Sequence, residues 1–207
     1  MLRRIPLIAL ILISGCAHHQ AQQSQRWQSL FDGKTLAGWH DFGEGKFVVE
    51  DGCIVGKTDH KAKLYGHLVT DAIYSDFSCR FKVKSLKGNS GFYIRTKCVP
   101  PDKAYGMQIE VDPRHNTGGL YESYGRAWVV KPAQELQDKY FKKDDWNDIL
   151  IEAYGGHIKV SVNGITSAEV FNDPSPRSGH LALQMHAGND MLVIFKDLEI
   201  KGAPVTP

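Results

Sequence analysis

Two runs between Gly88 and Asp112, residues 88–95 and 106–112, together offer one guanidinium, two carboxylates, two amides and a phenol, most of them spaced by twos. Asn89, Tyr93 and Arg95 stand in the run Gly88-Asn89-Ser90-Gly91-Phe92-Tyr93-Ile94-Arg95, and Gln108, Glu110 and Asp112 in Gly106-Met107-Gln108-Ile109-Glu110-Val111-Asp112. Gln184 and His186 repeat the pattern beside Leu181, Leu183 and Met185. A merely solvated strand face tends to carry Lys, Thr and Ser. These groups read instead as the floor of a binding or catalytic groove that grips a small polar ligand by hydrogen bonds and charge. A cysteine nucleophile is not indicated, because no His stands at a partner spacing and Cys79 sits at core parity beside Phe77 and Phe81.

The elements that must position them follow from the other parity. Phe92 and Ile94, then Met107, Ile109 and Val111, are apolar at every second place, which defines strands with one face in a core. Asp76 to Ser85 alternates likewise, with Arg80, Lys82 and Lys84 on a solvated face. Asp51-Gly52 and Asn163-Gly164 are hairpin turns, Gly155-Gly156 is another tight turn, and Asn116 to Trp128 reads as a long loop with brief strand character at Gly119 to Tyr121. Ala133 to Tyr140 is the one plausible helix. About a dozen strands of about five to eight residues, with no internal repeat, describe an all-β fold: two antiparallel sheets packed as a sandwich or jelly roll, one of them able to curve. If the three polar segments share that sheet, Arg95, Gln108, Glu110, Gln184 and His186 face one concavity, about 4.8 Å from strand to strand. Plainer readings stand beside this one. Arg95 and Glu110 suit a cross-strand ion pair, His186 suits a cap on a backbone carbonyl, Asn89-Ser90-Gly91 suits a turn, and Trp146 suits either core packing or sugar stacking.

The amino end carries Arg3 and Arg4, an apolar run from Ile5 to Ile13, and Ser14-Gly15-Cys16. That run is too short to cross a bilayer and fits an export signal. The small residues before Cys16 resemble a bacterial lipobox, which implies lipidation of Cys16 and a lipid anchor; Ala17 at the next position favours the outer membrane, facing the periplasm or the cell surface. The expected organisation is residues 1–16 signal, 17–26 flexible tether and 27–203 a single sandwich domain. With 25 basic and 23 acidic residues the formal charge is +2, and no basic stripe points to nucleic acid. Cys53, Cys79 and Cys98 allow at most one internal disulfide. No stretch specifies an oligomeric state.

Leu30-Phe31-Asp32-Gly33-Lys34, Gly38-Trp39, Asp76-Phe77, Asn89-Ser90-Gly91 with Arg95, Gly106 to Asp112, Trp146-Asn147, Asn163-Gly164 and Leu183-Gln184-Met185-His186 occur in an order that resembles the 3-keto-disaccharide hydrolase family, built on a concanavalin A-like jelly roll. Many relatives read Gly-x-Glu-x-Gln where this chain has Gln108 and Glu110 in the reverse order. The resemblance implies a small carbohydrate substrate, a glycoside oxidised at C3, cleaved by C2 deprotonation, elimination at C1 and hydration. It implies Glu110 and His186 as base and acid, Arg95 as oxyanion stabiliser, and Gln108, Gln184, Asn89, Tyr93, Asp112, Trp146 and Tyr121 as substrate contacts. A divalent metal polarising the ketone, with His60, His186 and Glu110 as conceivable ligands, is left unassigned because no ligand spacing supports it. The alternative function is a non-catalytic, lectin-like surface lipoprotein.

Overall fold

The computed structural model describes residues 26–205. The expected signal, the lipidation site at Cys16 and nearly all of the tether lie outside the described residues. Apolar residues at alternate positions, broken by Gly, Asn and Pro, leave little but strands. In chain order these begin with β1 (Gln28–Ser29), β2 (Trp39–Gly43), β3 (Val48–Glu50), β4 (Cys53–Thr58), β5 (Gly66–Thr70) and β6 (Ile73–Tyr74). The middle of the chain forms β7 (Phe77–Lys87), β8 (Ser90–Val99), β9 (Lys103–Val111), β10 (Leu120–Ser123) and β11 (Ala127–Val130), then helix α1 (Gln134–Tyr140). The remainder is β12 (Asn147–Tyr154), β13 (His157–Val162), β14 (Ile165–Val170), β15 (His180–Met185), β16 (Met191–Lys201) and β17 (Pro204–Val205).

They pair into two large antiparallel sheets, as the alternation predicts. The first runs β14-β13-β12-β7-β16-β4-β3, with β1 added on β16; the second runs β11-β10-β9-β8-β15-β5-β2. Two expected hairpin turns form with both central residues at positive φ, Asp51 and Gly52 at 49° and 73° and Asn163 and Gly164 at 50° and 82°, the type I′ geometry that matches strand twist. Phe81 of β7 stacks on Phe92 of β8 with ring centroids 4.6 Å apart, tying one sheet to the other. Ile54, Phe77 and Phe195 from the first sheet meet Ile94, Ile109 and Leu183 from the second in the same fully buried core.

The two outer faces differ. On the first sheet, Arg80 pairs with Glu199 and Lys82 with Asp148, all at least a third exposed, as an ordinary solvated face does. On the second, the central strands are buried on both faces. Polar side chains on that outer face are therefore walled in. One wall comes from Asn116 to Trp128, expected as a long loop; most of it folds as the β10–β11 hairpin. Its Gly- and aromatic-rich sequence does not alternate, so periodicity missed the pairing of Glu122 with Ala127 and Tyr121 with Trp128.

Candidate active site

Register assembles the floor of the second sheet. Across β8 and β9, Tyr93 lies opposite Gln108 and Gly91 opposite Glu110. Across β15 and its neighbours, Ala182 lies opposite Tyr93 and Gln184 opposite His67. Tyr121 of β10 is opposite Gln108. Above these residues is a cleft of about 470 Å³, walled by Tyr65, Asp102, Tyr124, Trp128, Asn89, His115 and His186. Gly91 is required here: a Cβ on it would stand 2.4 Å from Gln108 Nε2, so only glycine lets the Gln108 amide lie across the floor.

The floor is one hydrogen-bonded network. Gln108 Nε2 donates to Glu110 Oε2 at 3.1 Å and to Gln184 Oε1 at 3.4 Å. Gln184 Nε2 donates to the Tyr93 hydroxyl at 3.0 Å, and that hydroxyl meets Ser123 Oγ at 2.8 Å. Asn89 Nδ2 donates to the other oxygen of Glu110. Burial lifts the Glu110 carboxyl to about 7; the Asn89 bond opposes this, the Asp112 charge adds to it and Arg114 opposes it again. Glu110 is thus poised to take or give a proton near neutral pH. His186 Nδ1 lies 2.7 Å from the Ala187 carbonyl, which can only accept, so Nδ1 carries the proton. In the neutral ring Nε2 is left as an acceptor, 3.4 Å from the Tyr65 hydroxyl. His186 therefore both binds a backbone carbonyl and lines the cleft.

Three expectations need correction. Arg95 is not in the cleft. The register of β8 against β9 shifts between Ile94 and Lys97, and Arg95 takes φ of 51°, a β-bulge that turns its side chain away from the cleft face. Its guanidinium is buried and donates to Ser75 O at 2.8 Å and Gly155 O at 2.7 Å, with Asp76 at 3.2 Å; the cross-strand pair with Glu110 does not form either. Trp146 lies at the start of β12 on the opposite sheet, flanked by Lys196 at 4.2 Å and Lys84 at 4.9 Å. Asp112 is fully buried beneath the cleft rather than lining it. Burial pushes its carboxyl up, but bonds from Arg114 (Nε 3.0 Å, Nη2 2.7 Å) and from Asn89 outweigh this, and its pKa falls below the usual value.

His60 binds Asp190 and does not line the cleft, so the set His60, His186 and Glu110 is not brought together. Among the described residues no group of three or more His, Cys, Asp or Glu side chains could hold a metal ion. Cys53, Cys79 and Cys98 are free thiols, Cys79 fully buried. Sequence reasoning missed His67 and Ser123 on the floor. Starting the strand at Gly66 instead of Leu68 would have exposed the pair His67 and Val69 at the presented parity.

An antiparallel sandwich with a polar cleft on the outer face of one sheet defines the class of concanavalin A-like jelly rolls. Within that class, the chain belongs to the family of 3-keto-alpha-glucoside-1,2-lyase-like domains, whose model matches residues 26–201. Solved structures share the fold. A Parabacteroides distasonis protein provisionally called a glycosyl hydrolase aligns with TM-score 0.66 and 21% identity, covering 90% of this chain and 96% of that one. The carbohydrate-binding module CBM66 from Bacillus subtilis gives TM-score 0.59 and 17% identity over 78% of this chain and 93% of its own. The exoplasmic/lumenal domain of VIP36, in a Ca2+/Man3GlcNAc-bound form, gives 0.56 and 12% over 82% and 85%. No curated protein matches the chain.

Proposed function

We propose that the protein cleaves 3-keto-glycosides in the cleft on the second sheet. Glu110, as carboxylate, takes the C2 proton that the C3 ketone acidifies; the C–H electron pair forms the C2–C3 double bond and the ketone oxygen becomes an enolate. The enolate electrons then return to restore the ketone, a C1–C2 double bond forms, and the C1–oxygen bond breaks. The departing oxygen takes a proton from the newly protonated Glu110, or from Nε2 of His186 when both nitrogens of that ring carry a proton. Water adds at C1 and a proton at C2, giving net hydrolysis. Gln108, Gln184, Asn89, Tyr93 and Tyr121 orient the sugar hydroxyls.

The observation that carries this reading is Glu110: a carboxylate 6% exposed, hydrogen-bonded on both oxygens, with its pKa raised to about 7 at the floor of an open cleft. Membership of the 3-keto-alpha-glucoside-1,2-lyase-like family supports the substrate class. The aromatic wall of Tyr65, Tyr121, Tyr124 and Trp128 also suits a non-catalytic sugar-binding module. Incubating the purified protein with a 3-keto-glucoside and with its unoxidised parent separates the two. Release of the aglycone from the ketone alone is expected; tight binding of the parent with release from neither would leave the binding module standing. We further propose that the chain is exported and lipid-anchored through Cys16 at the outer membrane.

A further inference from the structure

One buried polar side chain of the cleft has no hydrogen-bond partner in the protein. His67 on β5 is 2% exposed, and neither ring nitrogen lies within hydrogen-bond distance of another group. Phe42, Tyr65 and Tyr93 surround the ring, with centroids 6.1, 6.4 and 5.6 Å away. Burial without a partner disfavours the charged ring and lowers its pKa to about 4 against the opposing pull of Asp102, which favours the neutral imidazole with one N–H and one lone pair. A buried polar group left unpaired destabilises the folded state. The fold holds this one in place beside Gln184, whose own amide is engaged with Tyr93 and Gln108.

The proposed reaction places negative charge on the C3 oxygen, yet no Lys or Arg lines the cleft among the described residues. Arg114 is tied to Asp112, and Arg126 to Glu122 and Asp173. Asn89 and Gln108 donate to Glu110, and Gln184 donates to Tyr93. Among the buried polar side chains of the cleft floor, His67 is the one that no protein group engages. It stands on the same face as Glu110 with β15 and β8 between them, three strand spacings or about 14 Å of backbone separation. Side chains reaching toward each other from that distance can close on one pyranose ring, in which C2 and the C3 oxygen are neighbours.

We propose that His67 is the electrophile of the site: its neutral ring donates an N–H to the C3 ketone oxygen and holds the enolate while Glu110 removes the C2 proton. No proton leaves the imidazole. A neutral donor suits this task because its hydrogen bond strengthens as the oxygen becomes anionic, which favours the transition state over the bound ketone. The ring lies among Phe42, Tyr65 and Tyr93 and lines the cleft in which the carbonyl would sit. The role rests on the reading given under Proposed function.

The test uses the 3-keto derivative of anhydroglucitol, which keeps the ketone and the C2 hydrogen but has no glycosidic leaving group at C1. Exchange of its C2 hydrogen in D2O, followed by NMR, isolates enolate formation. His67→Phe is expected to slow exchange about 100- to 1,000-fold, and His67→Gln, which keeps an N–H donor, to recover part of that loss. In histidine-labelled wild type the His67 ring signal is expected to shift with the ketone and not with the parent alcohol, an observation that needs no variant to fold. Exchange in His67→Phe at the wild-type rate, or a ring signal unmoved by saturating ketone, overturns the role of His67 alone. A wild type that neither exchanges the analogue nor cleaves a 3-keto-glucoside overturns the proposed function with it.

Discussion

Glu110 is held as a base by desolvation more than by any partner. Its carboxyl titrates at about 7, against an ordinary value of 4.5. Turnover is predicted to rise with pH through about 7 and level off as the carboxylate forms, and Glu110→Gln to lower kcat about 100- to 10,000-fold without that inflection. Stability moves the other way. The folded state binds this proton more tightly than the unfolded chain, so the contribution is full below about pH 4.5 and lost as pH rises through 7. Glu110→Gln should therefore be more stable than wild type above pH 7, by up to ~3 kcal/mol, and near wild type at pH 4.5, read as urea midpoints across pH. Glu110, Gln108 and Gln184 were legible because each sits at strict strand parity opposite core residues. Arg95 was misread because parity holds only until a bulge, and nothing in Ile94-Arg95-Thr96 announces one.

At the scale of the element, that bulge converts a cleft residue into a clip. Arg95 joins β8 to the segment before β7 and to the Gly155 turn, satisfying two carbonyls of the opposite layer. Arg95→Met is predicted to lower stability by about 2–4 kcal/mol in denaturant unfolding while leaving kcat per folded molecule unchanged. A loss of kcat with no loss of stability would return Arg95 to the chemistry. Gly91 makes the complementary point on the same strand. Gly91→Ala is predicted to push Gln108 off the floor and reduce kcat/KM about 10- to 100-fold, with a smaller loss of stability than Arg95→Met. The strands themselves were readable from alternation and turn chemistry. The β10–β11 hairpin was not, since its pairing is set by what it covers rather than by its own period.

For the whole molecule, the first sheet is a solvated back and the second carries the working face, walled by connecting segments and one hairpin. That division was legible only in outline: the sequence showed which strands had polar faces, and the pairing order decided which of those faces converge. At this scale belongs the anchor. Labelled palmitate is predicted to enter the expressed full chain and to be lost in Cys16→Ser, with the protein moving from the membrane fraction to the soluble one; unlabelled wild type would contradict the lipobox reading. The proposed cleavage proceeds by elimination rather than by direct displacement at C1. The most direct measurement is the fate of the C2 hydrogen when a 3-keto-glucoside is cleaved in D2O, read by NMR of the released sugar in the first turnovers. One solvent deuterium at C2 is expected, beyond what the free keto sugar takes up alone. A product that keeps its original C2 hydrogen would contradict it.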